Sequence, residues 1–244
     1  MTARIAGLAL LLAMLPAAAA AQSFSFDLGE GGSLTATSLQ LIALITLLSL
    51  APGIAIMITC FPFMVTVLAI LRQAVGLQQS PPNMLIVSLA LFLTWFVMAP
   101  VFEAAWAEGV VPLLEERVSI ETAALQALAP FREFMSARVD AETLAALAEV
   151  APRAVAPAAT PAEAPLSVLA PAFLLSEIAR AFEIGFLIYL PFLLIDLVAA
   201  SILMSMGMMM VPPVVVSLPF KLAFFVVADG WSLLAGALVR GYGA

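Results

Sequence analysis

Histidine is missing altogether from this chain of 244 residues, and cysteine occurs once, as Cys60. The first absence removes the commonest metal ligand and the commonest general base. The second excludes an internal disulfide. Charge is scarce as well: Asp, Glu, Lys and Arg make up 10% of the residues, against about 25% in ordinary soluble domains. The nine Lys and Arg are scattered without a basic stripe and the formal charge is −7, so nucleic acid is not an expected partner. Neither a G-x-S-x-G motif nor a Gly-rich phosphate loop is present. No catalytic residue, metal site or cofactor is therefore expected, and the chain does not read as an enzyme.

What the chain has in abundance is apolar surface: 64% of residues are hydrophobic and the mean hydropathy is +1.17. Such a composition needs lipid or many apolar partners. The N-terminus combines Arg4, the apolar run "IAGLALLLAML", Pro16 and "AAAAAQ", the layout of a secretory signal peptide. Residues 1–21 are expected to be removed near Ala21, leaving 22–38 as the mature N-terminal segment. A retained membrane anchor is the alternative, but the apolar run is short and polar "QSFSFDLGEGGS" follows it. A cleaved leader puts the new N-terminus outside the cytoplasm, as for a multi-pass protein of a bacterial inner membrane.

Four apolar blocks follow, at 39–71, 84–102, 184–205 and 214–239, each long enough for a membrane span of roughly 20 residues. The turn "RQAVGLQQSPPN" separates the first two, and "LMSMGMMMVPP" separates the last two. The expected fold is an all-α membrane-associated protein of two kinked helical hairpins, 39–102 and 167–244. Between them, 103–166 carries ten acids and four arginines, amphipathic helical patterns and a Pro/Ala tract, and reads as an extramembrane helical region with a linker on the periplasmic side. Pro52, Pro62, Pro191, Pro212, Pro213 and Pro219 are expected to interrupt the apolar blocks, so that freed backbone groups must be satisfied by neighbouring protein.

Ionisable residues inside the apolar blocks are the first candidates for function. Asp196 and Lys221 each cost about 2.5–3.5 kcal/mol on a lipid-exposed helix. They are equally distant in sequence from the midpoint between Met208 and Met209, so a symmetric hairpin turning there sets them at one depth. The same symmetry matches Glu177 with Arg240. Pairing with a neighbouring subunit is the other way to satisfy Lys221, and a proton relay is the other use of the pair. Glu177, Arg180 and Glu183, spaced at three, are expected to share one helix face, as a subunit contact or a solvated face. An ion-coupled secondary transporter working through Asp196, Glu183 or Lys221 is the rival function. Trp231 and Tyr189 are interface anchors or ordinary packing residues.

Five of the twelve methionines fall between Met204 and Met210. Methionine is unbranched, flexible and polarizable, which suits either ordinary core or a deformable seal. Topology adds a strain: with the N-terminus outside, the four arginines of 103–166 lie on the outer side, against the positive-inside tendency.

The stretches "GLQQSPPN", "IGFLIYLPFLLIDLVAAS", "MSMGMMMVPP" and "SLPFKLAFFVVADGW", in that order, resemble the FliP family of flagellar biosynthesis proteins, counterparts of the R subunits of virulence type III secretion export gates. "PFREFMSAR" is a further partial match, and the Ala- and Pro-rich stretch 139–165 departs from the pattern. The resemblance implies a pore-forming subunit of the flagellar protein export gate. Several FliP copies would assemble with FliQ and FliR into a closed helical pore at the centre of the basal body, held largely above the bilayer plane. Unfolded flagellar proteins would pass through it, with other export-apparatus components and membrane lipid as further neighbours. The resemblance also implies that Met204, Met206, Met208, Met209 and Met210 form a gasket in the lumen, with Gly207, Pro212 and Pro213 shaping the bend. Phe131 and Phe134, in the partial match, pack either between subunits or within the chain.

Overall fold

The computed structural model describes residues 34–77, 81–151, 160–208 and 210–243. The expected signal peptide, residues 22–33, the middle of the Pro/Ala tract and Met209 lie outside them. Every regular element among the described residues is helical. The chain divides into two compact units, Met1–Ser49 and Leu50–Ala244. In the first, the described residues form the opening part of α1 (Leu34–Met57). Two of its hydroxyls turn back onto its own carbonyls, Thr46 Oγ1 to Ile42 at 2.7 Å and Ser49 Oγ to Thr46 at 2.7 Å, so both are satisfied without a partner outside the helix.

In the second unit α1 ends at Met57 and α2 spans Phe61–Val75. Pro62 lies in the first turn of α2, where a missing N–H costs nothing. Phe63, Met64, Val67, Leu68, Leu71, Ala74 and Val75 recur at helical spacing and are buried, making α2 the core helix. Gly76, at φ 88°, closes it in the left-handed conformation and donates its N–H to Gln73 O at 3.0 Å. α3 (Asn83–Ala105) follows; Arg72 donates to Asn83 Oδ1 and, at 3.4 Å, to Pro81 O, tying the turn shut.

A π-helical turn, Trp106–Val110, joins α3 to the short α4 (Val111–Leu114). α5 (Ile120–Ser136) and α6 (Ala141–Glu149) are each started by a side-chain cap: Thr122 N donates to Ser119 Oγ at 3.3 Å, and Thr143 N to Asp140 Oδ1 at 2.9 Å. The Thr143 amide, with the Thr143 hydroxyl, holds the Asp140 carboxyl below the usual carboxylate range. After the Pro/Ala tract a 3₁₀ turn, Pro161–Glu163, is gripped by Arg132, which donates to Ala162 O at 3.1 Å and Ala164 O at 2.7 Å.

α7 (Leu166–Ser205) is one helix of 40 residues, about 60 Å long. That is roughly twice the hydrocarbon thickness of a bilayer. α8 (Pro213–Val227) and α9 (Gly230–Gly243) complete the chain, bent by 61° at a break where Asp229 takes φ 47°. α3 with its extension and α7 are each long and apolar enough to cross a membrane, as is the bent α8–α9 pair taken together.

The proline expectation is corrected by these elements. Pro52, Pro191 and Pro219 lie inside α1, α7 and α8, which run through them, while Pro62, Pro212 and Pro213 sit at helix starts. An internal proline removes one hydrogen bond and crowds one turn, and the bonds and packing on either side hold the rod together. The apolar block expected at 184–205 likewise reaches back to Leu166, through Pro171.

Two cores result. α2 is packed by α3, by Ala181 and Phe192 of α7 and by Leu234, Leu238 and Tyr242 of α9. A second cluster, Met135, Leu144, Val168, Leu169, Ala172 and Phe173, joins α5 and α6 to the first turns of α7. Phe131 and Phe134 are used inside the chain. Phe131 meets Phe102 edge-on at 5.7 Å, and Phe134 packs against both Phe173, at 5.8 Å, and Tyr242, at 6.2 Å. From Phe182 onward α7 presents a continuous apolar surface to the outside, as do the first half of α3 and most of α8.

At Gly185 α7 packs tightly on α2: a Cβ there would fall 2.4 Å from Ile70 Cδ1. Gly185→Ala is therefore expected to destabilise the purified chain by about 1–3 kcal/mol, the usual cost of overpacking. Ile70→Val, which deletes the offending Cδ1, should recover most of that loss in the Gly185→Ala background. Thermal unfolding in detergent of the two single variants and the double reads this directly. Additive losses would place the close approach elsewhere.

Candidate functional site

The methionine bend begins where α7 ends. Gly207 N–H donates to Met204 O at 3.1 Å and Met208 N–H to Leu203 O at 3.0 Å, with Gly207 at φ 75°. This is a Schellman motif, which satisfies the last carbonyls of the helix and needs a left-handed residue in that place. A Cβ on Gly207 would touch nothing within 4 Å, so conformation rather than space selects glycine. Leu203 and Met208, the two positions where an apolar contact commonly accompanies the motif, both line an apolar groove of about 550 Å³ between α7 and α8. Pro212 then caps α8 and Pro213 opens it, giving the return strand a fixed direction. Met204, Met206, Met208 and Met210 are 61%, 67%, 42% and 96% exposed. These four methionines are not core residues of the chain.

One helical turn or more below the bend, α7 and α8 are joined by charge. Lys221 Nζ lies 2.6 Å from Asp196 Oδ2 and donates to Ala74 O at 3.0 Å, while Ser217 Oγ donates to Asp196 Oδ1 at 2.6 Å. Lys221 is 3% exposed and Ser217 fully buried. Ala74 is in the last turn of α2, whose carbonyls have no partner within the helix. The ammonium thus supplies a carboxylate on α7 and a helix end on α2 together. Asp196 and Lys221 meet within one chain; Ser217 and the Ala74 carbonyl are members that the sequence did not point to. Tyr189 and Arg72 line a pocket that opens onto the pair. Trp231 packs edge-on against Phe225 at 5.4 Å.

The symmetric matching of Glu177 with Arg240 is corrected. Glu177, 1% exposed, accepts a hydrogen bond from Tyr242 Oη instead, and no ion pair joins it to Arg240. The break between α8 and α9 explains the shift, because a 61° bend destroys the register that an unbroken arm would keep. Around Tyr242, Arg138 stacks on the ring at 4.2 Å and donates to its carbonyl, and Arg180 donates to Gly241 O at 3.3 Å. These cations satisfy the final carbonyls of α9, the electronegative end of that helix. The shared face expected for Glu177, Arg180 and Glu183 is also corrected. Each step of three residues falls about 60° short of a full turn, so Glu177 is buried and Glu183 is exposed. Among the described residues no group of His, Cys, Asp and Glu could hold a metal ion.

Comparison with known proteins gives these features their family. The model of the FliP family matches residues 44–238. The flagellar biosynthetic protein FliP of Caulobacter vibrioides is 52% identical over 235 residues, covering 96% of this chain and 88% of that protein. That of Agrobacterium fabrum is 48% identical over 238 residues, 96% and 97% of the two chains, and that of Bacillus subtilis 43% over 210 residues, 84% and 92%. The chain belongs to the FliP family. FliP-family proteins serve flagellar biosynthesis as components of the export apparatus and are not enzymes. The apolar helices long enough to span a bilayer give this FliP-family chain a membrane location.

Lys221→Met strips Asp196 of its cation and is expected to destabilise the chain by about 3–5 kcal/mol, since it leaves a half-buried charge uncompensated. Replacing both partners, Asp196→Leu with Lys221→Met, should restore most of the loss. The charge exchange Asp196→Lys with Lys221→Asp should not, because the new carboxylate at 221 would face the Ala74 carbonyl oxygen. Thermal unfolding in detergent separates the three. An exchange variant as stable as the original chain would remove Ala74 from the node.

Proposed function

We propose that this chain is a pore-forming subunit of the flagellar protein export gate. Several copies assemble with FliQ and FliR at the basal body in the bacterial inner membrane, after removal of the leader near Ala21, and unfolded flagellar proteins pass through the pore. The observation that carries the reading is the methionine bend: flexible, polarizable side chains stand exposed on a turn held by a Schellman motif between two rigid helices. Met204, Met206, Met208, Met209 and Met210 from each copy form the gasket, with Gly207, Pro212 and Pro213 setting its direction. A ring of such side chains excludes water when closed and deforms around varied chains when open.

The length of α7 supports the same reading. Its outward apolar surface runs from Phe182 to Ile202, about 30 Å of helix, whereas its first part is packed under α5 and α6. An assembly in which neighbouring subunits cover such surfaces needs no ordinary arrangement of four lipid-facing spans, which removes the topological strain of the outer arginines. The ion-coupled transporter is less well supported: Asp196 and Lys221 are paired with each other and held by Ser217 and the Ala74 carbonyl, and Glu183 stands exposed on the outside of α7 rather than beside them.

Replacing Met208, Met209 and Met210 together by alanine should leave the assembled particle intact and make it leak. The exposed tip contributes little to packing, whereas a core methionine cut to alanine costs about 2–5 kcal/mol. Small-ion conductance of cells carrying the variant, beside the yield of particle, gives the answer. Particles that fall apart, or that stay sealed, would return these methionines to a packing role.

A further inference from the structure

We propose that Glu183 and Arg240 form an ion pair between neighbouring copies of the chain, so that each copy offers one carboxylate and one guanidinium to the copies on its two sides. The proposal rests on the multi-copy reading above and names a contact that sets the register between apolar surfaces of neighbouring copies. Two unsatisfied charges carry it. Among the described residues, Arg72, Arg117, Arg132, Arg138, Arg180 and Lys221 all donate to an oxygen of the chain, and Arg240 alone among the cations does not. Its guanidinium lies back along its own helix, where a Cβ on Gly236 would meet Nη1 at 3.2 Å. Glu183 is exposed and has no partner, and Phe182, Phe186 and Leu187 stand exposed around it. A carboxylate on such a face is costly wherever apolar matter, lipid or protein, covers it. Asp229, also exposed, differs: it sits at the start of α9, where free amides favour a negative charge.

The two charges lie at one height. α9 returns along α7 in the opposite direction, with Trp231 reaching Phe225 beside Phe192, and Tyr242 reaching Glu177. Gly241 is at the level of Arg180, so Arg240, one residue earlier, is within about one helical turn of Glu183 along the α7 axis. An arginine side chain spans that difference. Within the chain the two do not meet. Turning one copy about an axis parallel to α7 joins the carboxylate of one to the guanidinium of the next with little axial slip. This is a head-to-tail contact, which propagates into a ring or a shallow helix rather than stopping at a dimer. Charge-assisted pairing of this kind fixes the register between apolar surfaces that would otherwise slide.

The test uses the full chain expressed with the rest of the export apparatus, in a Cys60→Ser background. Glu183→Cys and Arg240→Cys in the same chain, treated with a short flexible bis-maleimide, should give a ladder of covalent multimers. A maleimide is needed because Cβ atoms across an Arg–Glu pair are too far apart for a disulfide. Either single cysteine should give no ladder. In parallel, Glu183→Arg and Arg240→Glu should each lower the recovered particle at least about tenfold, and the two together should restore it. A normal particle with no ladder and no rescue would overturn the pair while leaving the multi-copy reading intact. A cysteine-bearing chain that is folded but never larger than a monomer would overturn both.

Discussion

A lysine ammonium withdrawn from water costs several kcal/mol unless acceptors surround it, and Lys221 meets that demand from two helices at once. Asp196 on α7 supplies the counter-charge, and the Ala74 carbonyl at the end of α2 supplies a neutral acceptor. Because α2 is the core helix and α7 and α8 are the two arms of the methionine bend, this node fixes where the bend stands relative to the core. The turn after α2 is built around the same point. A Cβ on Gly76 would lie 3.5 Å from Leu218 Cδ1 and 4.0 Å from Lys221 Nζ, ordinary contact distances, so it is the left-handed backbone rather than the approach of α8 that selects glycine there.

A second node sits at the far end of the same body. Glu177, Tyr242, Arg138 and Arg180 join α7, α9 and the link between α5 and α6, and Phe134 packs across the boundary between the two cores. With the polar tie through Lys221 at one end, the edge-on contact of Phe63 with Tyr242 at 5.2 Å at the other and the Gly185–Ile70 approach between them, α2 is fixed against α7 directly and through α8 and α9. Buried polar groups of this kind specify an arrangement more than they add net stability. Here each bond joins helices that apolar packing alone would leave free to slide.

Much of this was legible in the sequence, and the failures have local causes. The Asp196–Lys221 match survived because both arms are helical from the bend to those residues and Gly207 makes the turn compact. The Glu177–Arg240 match did not, because it assumed that the second arm stays straight; the Asp229-Gly230 dipeptide, a turn signal, is where that assumption breaks. Pro52, Pro191 and Pro219 were read as breaks, yet they are carried inside α1, α7 and α8, since each proline costs one hydrogen bond and a crowded turn while the bonds on either side remain. Glu177 and Glu183 looked like neighbours on one face until the shortfall of each three-residue step was added. Tyr242 gave no signal beyond being one of only two tyrosines, because its role depends on a tertiary contact with a carboxylate 65 positions earlier.

The distribution of restraint suits the seal proposed for the methionine bend. Below the bend, α7 and α8 are bound by a short ion pair, a buried serine and aromatic contacts such as Phe192 with Phe224 at 5.8 Å. Above it, the hydrogen bonds of the described residues from Met206 to Val211 are backbone bonds of the turn, and the side chains of Met206, Met208 and Met210 are exposed. A force on the methionine tip therefore moves rotamers and turn torsions before it disturbs the packed arms, since a turn opens at lower free energy than a core. In the proposed gate, subunit contacts lower down α7 and on α9 would stay fixed while the tip yields. That division would let one chain combine lasting assembly with a displaceable seal, and it follows from placing the charged node below the bend rather than at its apex.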